Sequence, residues 1–285
     1  MINRDIFMTR IALFSPGAMG ASVGAAAVSM GHEVTWHSNN RSQASIQRSD
    51  QAGLVAVQDQ KTLFNQAEIV LSVCPPHAAN EVAQLAISNK FQGIFLEGNA
   101  IAPSKVRAIR DDLEQANIDC VDGGIIGGPA WDKSSNTQLY VSGTCAADIA
   151  ALFSGTPLTT TVLNNQIGSA SALKMTFAAY TKGTTALLSA ILAVAEREGV
   201  REYLETQWGE DFSQQTAMRI TGNAQKAWRF KGEMEEIATT FGEAGLPSGF
   251  HMAAAEIYDR LKTYKDGSEA PTLDNFLSQL LNDGR

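Results

Sequence analysis

From Gly168 to Gly199 the chain reads GSASALKMTFAAYTKGTTALLSAILAVAEREG, without a proline, and from Thr184 to Ala195 without a charge. Apolar side chains face every side of such a helix, which places it in a large core, an interface or lipid. The uncharged run falls short of the roughly 20 residues that a bilayer requires, so burial in protein is expected. Upstream, strand and helix patterns alternate; downstream only helical patterns follow. The stretch therefore reads as a joint between two domains, residues 1–165 and 166–285. Near its start stands Lys174, a cation flanked one turn either way by Ala170 and Ala178.

The upstream half opens with Arg10–Phe14, a short apolar run ending in Ser15-Pro16-Gly17-Ala18-Met19-Gly20. A helical stretch follows to Met30, Gly31-His32 breaks it, and Glu33–His37 reads as a second strand. Strand, glycine turn, helix and strand within about thirty residues make a βαβ unit. Further strands are expected at residues 55–57, 67–73, 93–97, 119–122, 139–143 and 160–163, with helices over 78–88 and 103–116 between them. Proline at residue 103 suits a first helical turn. Beyond the long helix, helical runs are expected near 202–208, 212–230, 234–243, 249–262 and 273–281. The fold class is thus an α/β Rossmann-type, doubly wound parallel sheet followed by an all-α C-terminal domain, joined by a long interdomain helix.

Composition narrows the partners. Net charge is −8 with no basic block, which argues against nucleic acid and acidic membrane surfaces. Cys74, Cys120 and Cys145 lie in or beside strand-like runs and read as unpaired thiols of a reducing compartment, and no metal-ligand spacing includes them. Arg4, Asp5 and Arg10 occupy the first ten residues with no apolar run, so a cytoplasmic protein without a leader is expected. The helices after Glu196 are too few to cover both sides of residues 184–195 within one subunit. A homodimer through the helical domain follows.

Gly17 and Gly20 stand where a dinucleotide fold places the second and third glycines of G-x-G-x-x-G. Gly17 lets backbone approach a pyrophosphate, Gly20 lets helix and strand pack, and Ser15 replaces the first glycine. Ser15, Pro16, Gly17, Ala18, Met19 and Gly20 form the expected cofactor loop, its phosphates held at a helix N-terminus. An ordinary Gly/Pro turn would share this composition; the βαβ context favours the nucleotide. The second strand ends in His37-Ser38-Asn39-Asn40-Arg41-Ser42, with no acid before Asp50. A carboxylate there would hold the ribose 2′-OH of NAD, whereas Ser38, Asn39 and Arg41 suit a 2′-phosphate. The cofactor expected is NADP rather than NAD, although a polar loop with one solvated arginine would read alike.

With these residues placed, the chain resembles the 3-hydroxyacid dehydrogenase and 6-phosphogluconate dehydrogenase-like superfamily, within it a bacterial branch of NAD-binding phosphogluconate dehydrogenase-like proteins. The likeness rests on Gly17-Ala18-Met19-Gly20, Val73-Cys74-Pro75-Pro76, Glu97–Pro103, Asp122–Gly128, Gly168 with Lys174, and Gly245–His251. The resemblance implies hydride transfer between NAD(P) and a small hydroxyacid, or its carbonyl form, with Lys174 catalytic. It implies a substrate-carboxylate loop at Gly123, Gly124 and Ile125, and turns at Val73, Cys74, Pro75 and Asn99 lining the cofactor. The superfamily's hydroxyacid enzymes place asparagine one turn after the lysine; here Ala178 stands there, leaving Thr181 or His251 as candidate substrate contacts. Related imine reductases also abandon that pair, so C=N reduction is the alternative. A catalytically silent nucleotide sensor is another.

The residues allow the chemistry. A nicotinamide moves the hydride and the protein handles the proton. Desolvation lowers a lysine's pKa toward the working range of a general acid or base. Lys174 has that setting, though a snorkelling or phosphate-facing lysine would share it. The glycine-rich Gly123–Gly128 segment offers backbone N–H groups to a carboxylate, or serves as a plain tight turn. A lone histidine such as His251 also suits a core position.

Overall fold

In a computed structural model of the chain, describing residues 8–265, 267 and 269–282, all eight expected strands form. Arg4 and Asp5 lie outside the described residues. The molecule divides into two compact units, Met1–Lys174 and Met175–Arg285.

The first unit begins β1 (Arg10–Phe14), α1 (Ala18–Ser29), β2 (Glu33–His37), α2 (Gln43–Gln51), β3 (Val55–Val57), α3 (Gln60–Gln66) and β4 (Ile69–Ser72). It continues with α4 (Ala79–Ser88), β5 (Ile94–Glu97), α5 (Pro103–Gln115), β6 (Asp119–Ile126), β7 (Gln138–Ser142), α6 (Ala146–Ala151) and β8 (Thr159–Val162). The strands form one sheet in the order β3-β2-β1-β4-β5-β6-β7-β8. Both faces are covered, as parallel sheets require. Along β1, Ile11 and Leu13 enter one apolar cluster while Ala12 and Phe14 enter another on the opposite face.

The sheet departs from the expected all-parallel form at one place, where β7 runs antiparallel to β6. A parallel crossover takes a dozen or more residues, usually with a helix. The connection after β6 holds only a 3-10 turn at Lys133–Ser135, so the chain doubles back.

The second unit is helical among its described residues. α7 (Ser169–Ala178) enters it, a π turn occupies Ala179–Gly183, and α8 (Thr184–Arg197) continues the same 29-residue helical run. Then come α9 (Arg201–Trp208), α10 (Glu210–Thr221), α11 (Ala227–Glu243), α12 (Gly249–Arg260) and α13 (Leu273–Leu281). The expected runs at 212–230 and 234–243 are corrected. The break comes at Gly222, and α11 passes unbroken through Gly232. Phe230, Met234, Ile237 and Ala238 are buried in α11, at the three- and four-residue spacing of one helix face.

The division falls after Lys174, later than residue 165, because α7's first turns are tied to the sheet. Asp122, at the register position beside Glu97, accepts from the amides of Gly168, Ala170 and Ser171. In α8, Ala186, Leu192 and Ala193 are buried, yet Leu187 and Val194 are 44% and 60% exposed. The run expected to be covered on every side keeps one face open in the single chain.

Candidate functional site

In the first unit β1 lies between β2 and β4. The chain leaves β1 toward β2 and later returns on the other side at β4. Ligands of open α/β sheets bind at the carboxyl ends of strands flanking such a reversal. The turns after β1, β2, β4, β5 and β6 therefore frame the candidate site.

After β1, Ser15 adopts φ +64°, the left-handed region where glycine is favoured. The serine in the first glycine position thus accepts backbone strain. The Gly17 amide donates to the Ser15 carbonyl at 2.7 Å. A Cβ on Gly20 would lie 2.2 Å from that carbonyl oxygen, so only glycine fits there. At Gly17 the nearest such atom is 4.0 Å away, leaving room for a close ligand. α1 starts at Ala18 and presents its unpaired first N–H groups above the turn.

After β2, Ser38 and Asn39 are tied to β3's exit: the Ser38 amide donates to the Val57 carbonyl at 3.0 Å, and Asn39 Nδ2 to the Gln58 carbonyl at 2.6 Å. Arg41 is exposed. Asp59, the acid that follows β3, is committed to α3, whose first turn it caps through the Thr62 amide and hydroxyl. Arg48, which sequence reasoning passed over, donates from Nε to the Pro16 carbonyl at 3.3 Å and braces the glycine turn from α2.

The turns after β4 and β5 are locked together by Asn99. Its Oδ1 accepts from the Cys74 amide at 2.5 Å, and its Nδ2 donates to the Ser72 hydroxyl at 2.9 Å. The Asn99 amide donates to Glu97 Oε1 at 3.0 Å. Val73, Cys74, Pro75 and Asn99, expected as cofactor contacts, are thus neighbours. Burial pushes the Cys74 thiol up to about 12, with Glu97 adding to the shift, so it is no nucleophile at neutral pH. Burial likewise pushes the Glu97 carboxyl up to about 8, and Oε2 has no hydrogen-bond partner among the described residues.

β6 corrects one expectation. Gly123, Gly124 and Ile125 are buried strand residues paired with Val141, Tyr140 and Leu139 of β7, rather than an open glycine turn. The glycines are needed for close packing. A Cβ on Gly124 would sit 2.6 Å from the Ala170 carbonyl oxygen of α7. Asp122 anchors that helix: besides three amides, it accepts from the Ser171 hydroxyl at 2.6 Å and the Ser142 hydroxyl at 3.0 Å. Burial raises its pKa while these donors, Ser171 foremost, oppose the rise. Lys174, one turn on, donates from Nζ to the Ile125 carbonyl at 2.6 Å. Lys174, Gly124 and Ile125 therefore meet. Asp122 and Glu97 were not singled out from sequence, though an acid closing an apolar strand run was a usable signal.

Thr181 and His251 belong to the second unit. Thr181 lies in the π turn and donates to the Phe177 carbonyl at 3.2 Å. His251 is buried, its ring 4.2 Å from that of Phe241 and 5.3 Å from that of Phe250. Burial lowers its pKa, and its Nδ1 has no hydrogen-bond partner among the described residues. No group of three potential metal ligands gathers among the described residues.

Comparison with known proteins accords with this geometry. Residues 10–152 match the family described as the NAD binding domain of 6-phosphogluconate dehydrogenase, and residues 195–261 match a domain of unknown function, DUF1932. A conserved protein of unknown function, described as structurally similar to 3-hydroxyacid dehydrogenases, is 27% identical. The alignment covers 90% of this chain and 98% of that one, with a TM-score of 0.65. The 3-hydroxyisobutyrate dehydrogenase of Mycobacterium tuberculosis, solved with L-serine, is 16% identical over 96% of this chain and 98% of its own, TM-score 0.68. An imine reductase variant from Myxococcus stipitatus, solved with NAD+, is 15% identical over 96% and 100%, TM-score 0.56. At those identities the last two likenesses are of fold.

Proposed function

The chain belongs to the family of the NAD binding domain of 6-phosphogluconate dehydrogenase, and on that premise we propose an NADP-dependent oxidoreductase that moves a hydride between nicotinamide and a small hydroxyacid or its carbonyl form. The observation that carries the reading is Lys174. Its ammonium is fixed on the Ile125 carbonyl, at the carboxyl end of the sheet that also bears the glycine turn.

The first unit's residues fit a dinucleotide. Ser15, Gly17 and Gly20 shape a turn with room at Gly17 and an open helix N-terminus for the pyrophosphate. Ser38, Asn39 and exposed Arg41 would hold the 2′-phosphate, with Asp59 engaged elsewhere. Val73, Cys74, Pro75 and Asn99 would wall the nicotinamide end. When bound, the nicotinamide supplies or accepts the hydride.

Lys174 handles the proton. As an acid it gives a proton from Nζ to the carbonyl oxygen; as a base it takes one from the hydroxyl. Its bond to Ile125 orients Nζ, and Asp122 fixes the helix that carries it. A carboxylate-bearing substrate is drawn to this ammonium.

A second reading is favoured by one observation. Ala178, one turn after Lys174, is 2% exposed and supplies no amide to hold a hydroxyl. Imine reduction needs none. Both readings are tested by assaying purified protein with NADP(H) and NAD(H) against small hydroxyacids, amino alcohols and cyclic imines. Turnover of hydroxyacids supports the first, and of imines the second. Cofactor binding without any turnover would leave a nucleotide sensor.

A further inference from the structure

The second unit contains a groove of about 340 Å³ beside the π turn, within the size range of small-molecule sites. Two carbonyls of this turn accept hydrogen bonds from side chains of other helices. The Thr181 carbonyl accepts from Arg219 Nη2 at 2.6 Å, and the Lys182 carbonyl accepts from the Tyr258 hydroxyl at 2.8 Å. Arg219 of α10 is brought to the groove wall in this way, and its Nε donates to the Thr185 hydroxyl at 2.7 Å.

These contacts hold the guanidinium without neutralising it. Thr181 and Thr185 offer uncharged acceptors, and among the described residues no carboxylate pairs with Arg219. The other cation of the wall, Lys182, is matched by Glu233 and lies 4.7 Å from the centre of the Phe230 ring. Lys182 and Glu233 cancel, so the groove carries one uncompensated positive charge, that of Arg219. The guanidinium edge formed by Nη1 and the second Nη2 hydrogen is a planar two-pronged donor, the geometry that fits a carboxylate.

The rest of the wall sets the size and polarity of the ligand. Tyr180 and Phe230 offer ring surface, and Asn223 offers an amide. One net positive charge beside aromatic rings matches a monoanion with an apolar body better than a phosphate dianion, which calls for more cations.

We propose that the groove between the π turn and Arg219 is a binding site for a small organic monocarboxylate, its carboxylate on the Arg219 fork and its carbon body against Tyr180 and Phe230. The site lies wholly within the second unit and does not depend on the redox reading.

The test is calorimetric titration of the full chain with benzoate, its neutral isostere benzamide, and inorganic phosphate, each with and without saturating NADP+. Benzoate should bind one to one, at least tenfold tighter than benzamide or phosphate, and unaffected by NADP+. Arg219→Met should weaken it at least tenfold. Should that variant fail to fold, Tyr180→Glu decides, since Tyr180 is 67% exposed and a carboxylate there repels the ligand without touching the core. Equal binding of benzoate and benzamide, phosphate binding as tight as benzoate, or no benzoate binding at all would overturn the proposal. So would benzoate affinity unchanged in a folded variant. Loss of benzoate binding in the presence of NADP+ would do the same, by moving the anion to the first unit.

Discussion

Glu97 and Asp122 are register partners on adjacent parallel strands, and their carboxyls are served unequally. Asp122 accepts from five donors, whereas Glu97 accepts from the Asn99 amide and leaves Oε2 bare. Two buried acids side by side favour holding one neutral, and the unserved one is Glu97.

Stability should carry the signature of that proton. Glu97 keeps it up to about pH 8 in the fold and loses it near the ordinary 4.5 when unfolded. Folding therefore takes up a proton between those values. The contribution is full below 4.5 and is lost as pH rises through 8. Glu97→Gln, neutral throughout, should fall less steeply than the wild type, by on the order of a few kcal/mol across the window. Urea unfolding of both proteins between about pH 5 and pH 9 reads the difference; parallel curves would count against a neutral Glu97.

Lys174→Ala should stay folded, because alanine is the better helix former and Asp122 still caps α7. NADP affinity should change only a few-fold, and hydride transfer should slow by roughly 10²–10⁴. Lys174→Arg should be nearly as slow, since guanidinium does not release its proton. Single-turnover rates at matched cofactor saturation decide; rates within about threefold of wild type would remove Lys174 from the reaction.

Cofactor choice should follow Arg41. The wild type should prefer NADPH over NADH by at least tenfold in kcat/KM, or about 1.4 kcal/mol. Arg41→Ala should erase most of that preference by raising KM for NADPH alone. Equal efficiency with NADH in the wild type contradicts the assignment.

The open face of α8 should be covered by a second copy. Leu187 and Val194 are exposed on α8, and Tyr203, Phe212 and Met218 are exposed on α9 and α10, the helices that pack beside it. A homodimer burying more than about 1,600 Å² in total is expected. Val194→Arg should shift it toward monomer at micromolar concentration in sedimentation. A monomeric wild type would end the idea.

Much of the first unit was legible because the central strands β1 and β4, buried on both faces, leave continuous apolar runs. The glycine turn was legible because Gly20 has no room for a side chain. What stayed hidden depends on partners far away in sequence. α2 and α3 are short and polar, and only their caps, Ser42 and Asp59, announce them. The reversal of β7 is invisible until β6 is seen to run on through Gly123 and Gly124, glycines that locally suggest a turn. Asp122 gives no local sign of the helix it anchors, since its donors lie at residues 142 and 168–171.

The π turn at Ala179–Gly183 acts on the long helix as a dislocation acts on a crystal row. It takes in one extra residue without ending the rod, and everything beyond it is rotated by about 100° relative to an unbroken α-helix. The stripe of positions that starts at Lys174 and Ala178 therefore does not continue at the heptad-like spacing a ruler laid on the sequence would suggest. A relative lacking that one residue would align well on both sides of a single gap, yet present a different set of α8 side chains to the groove and to the outside.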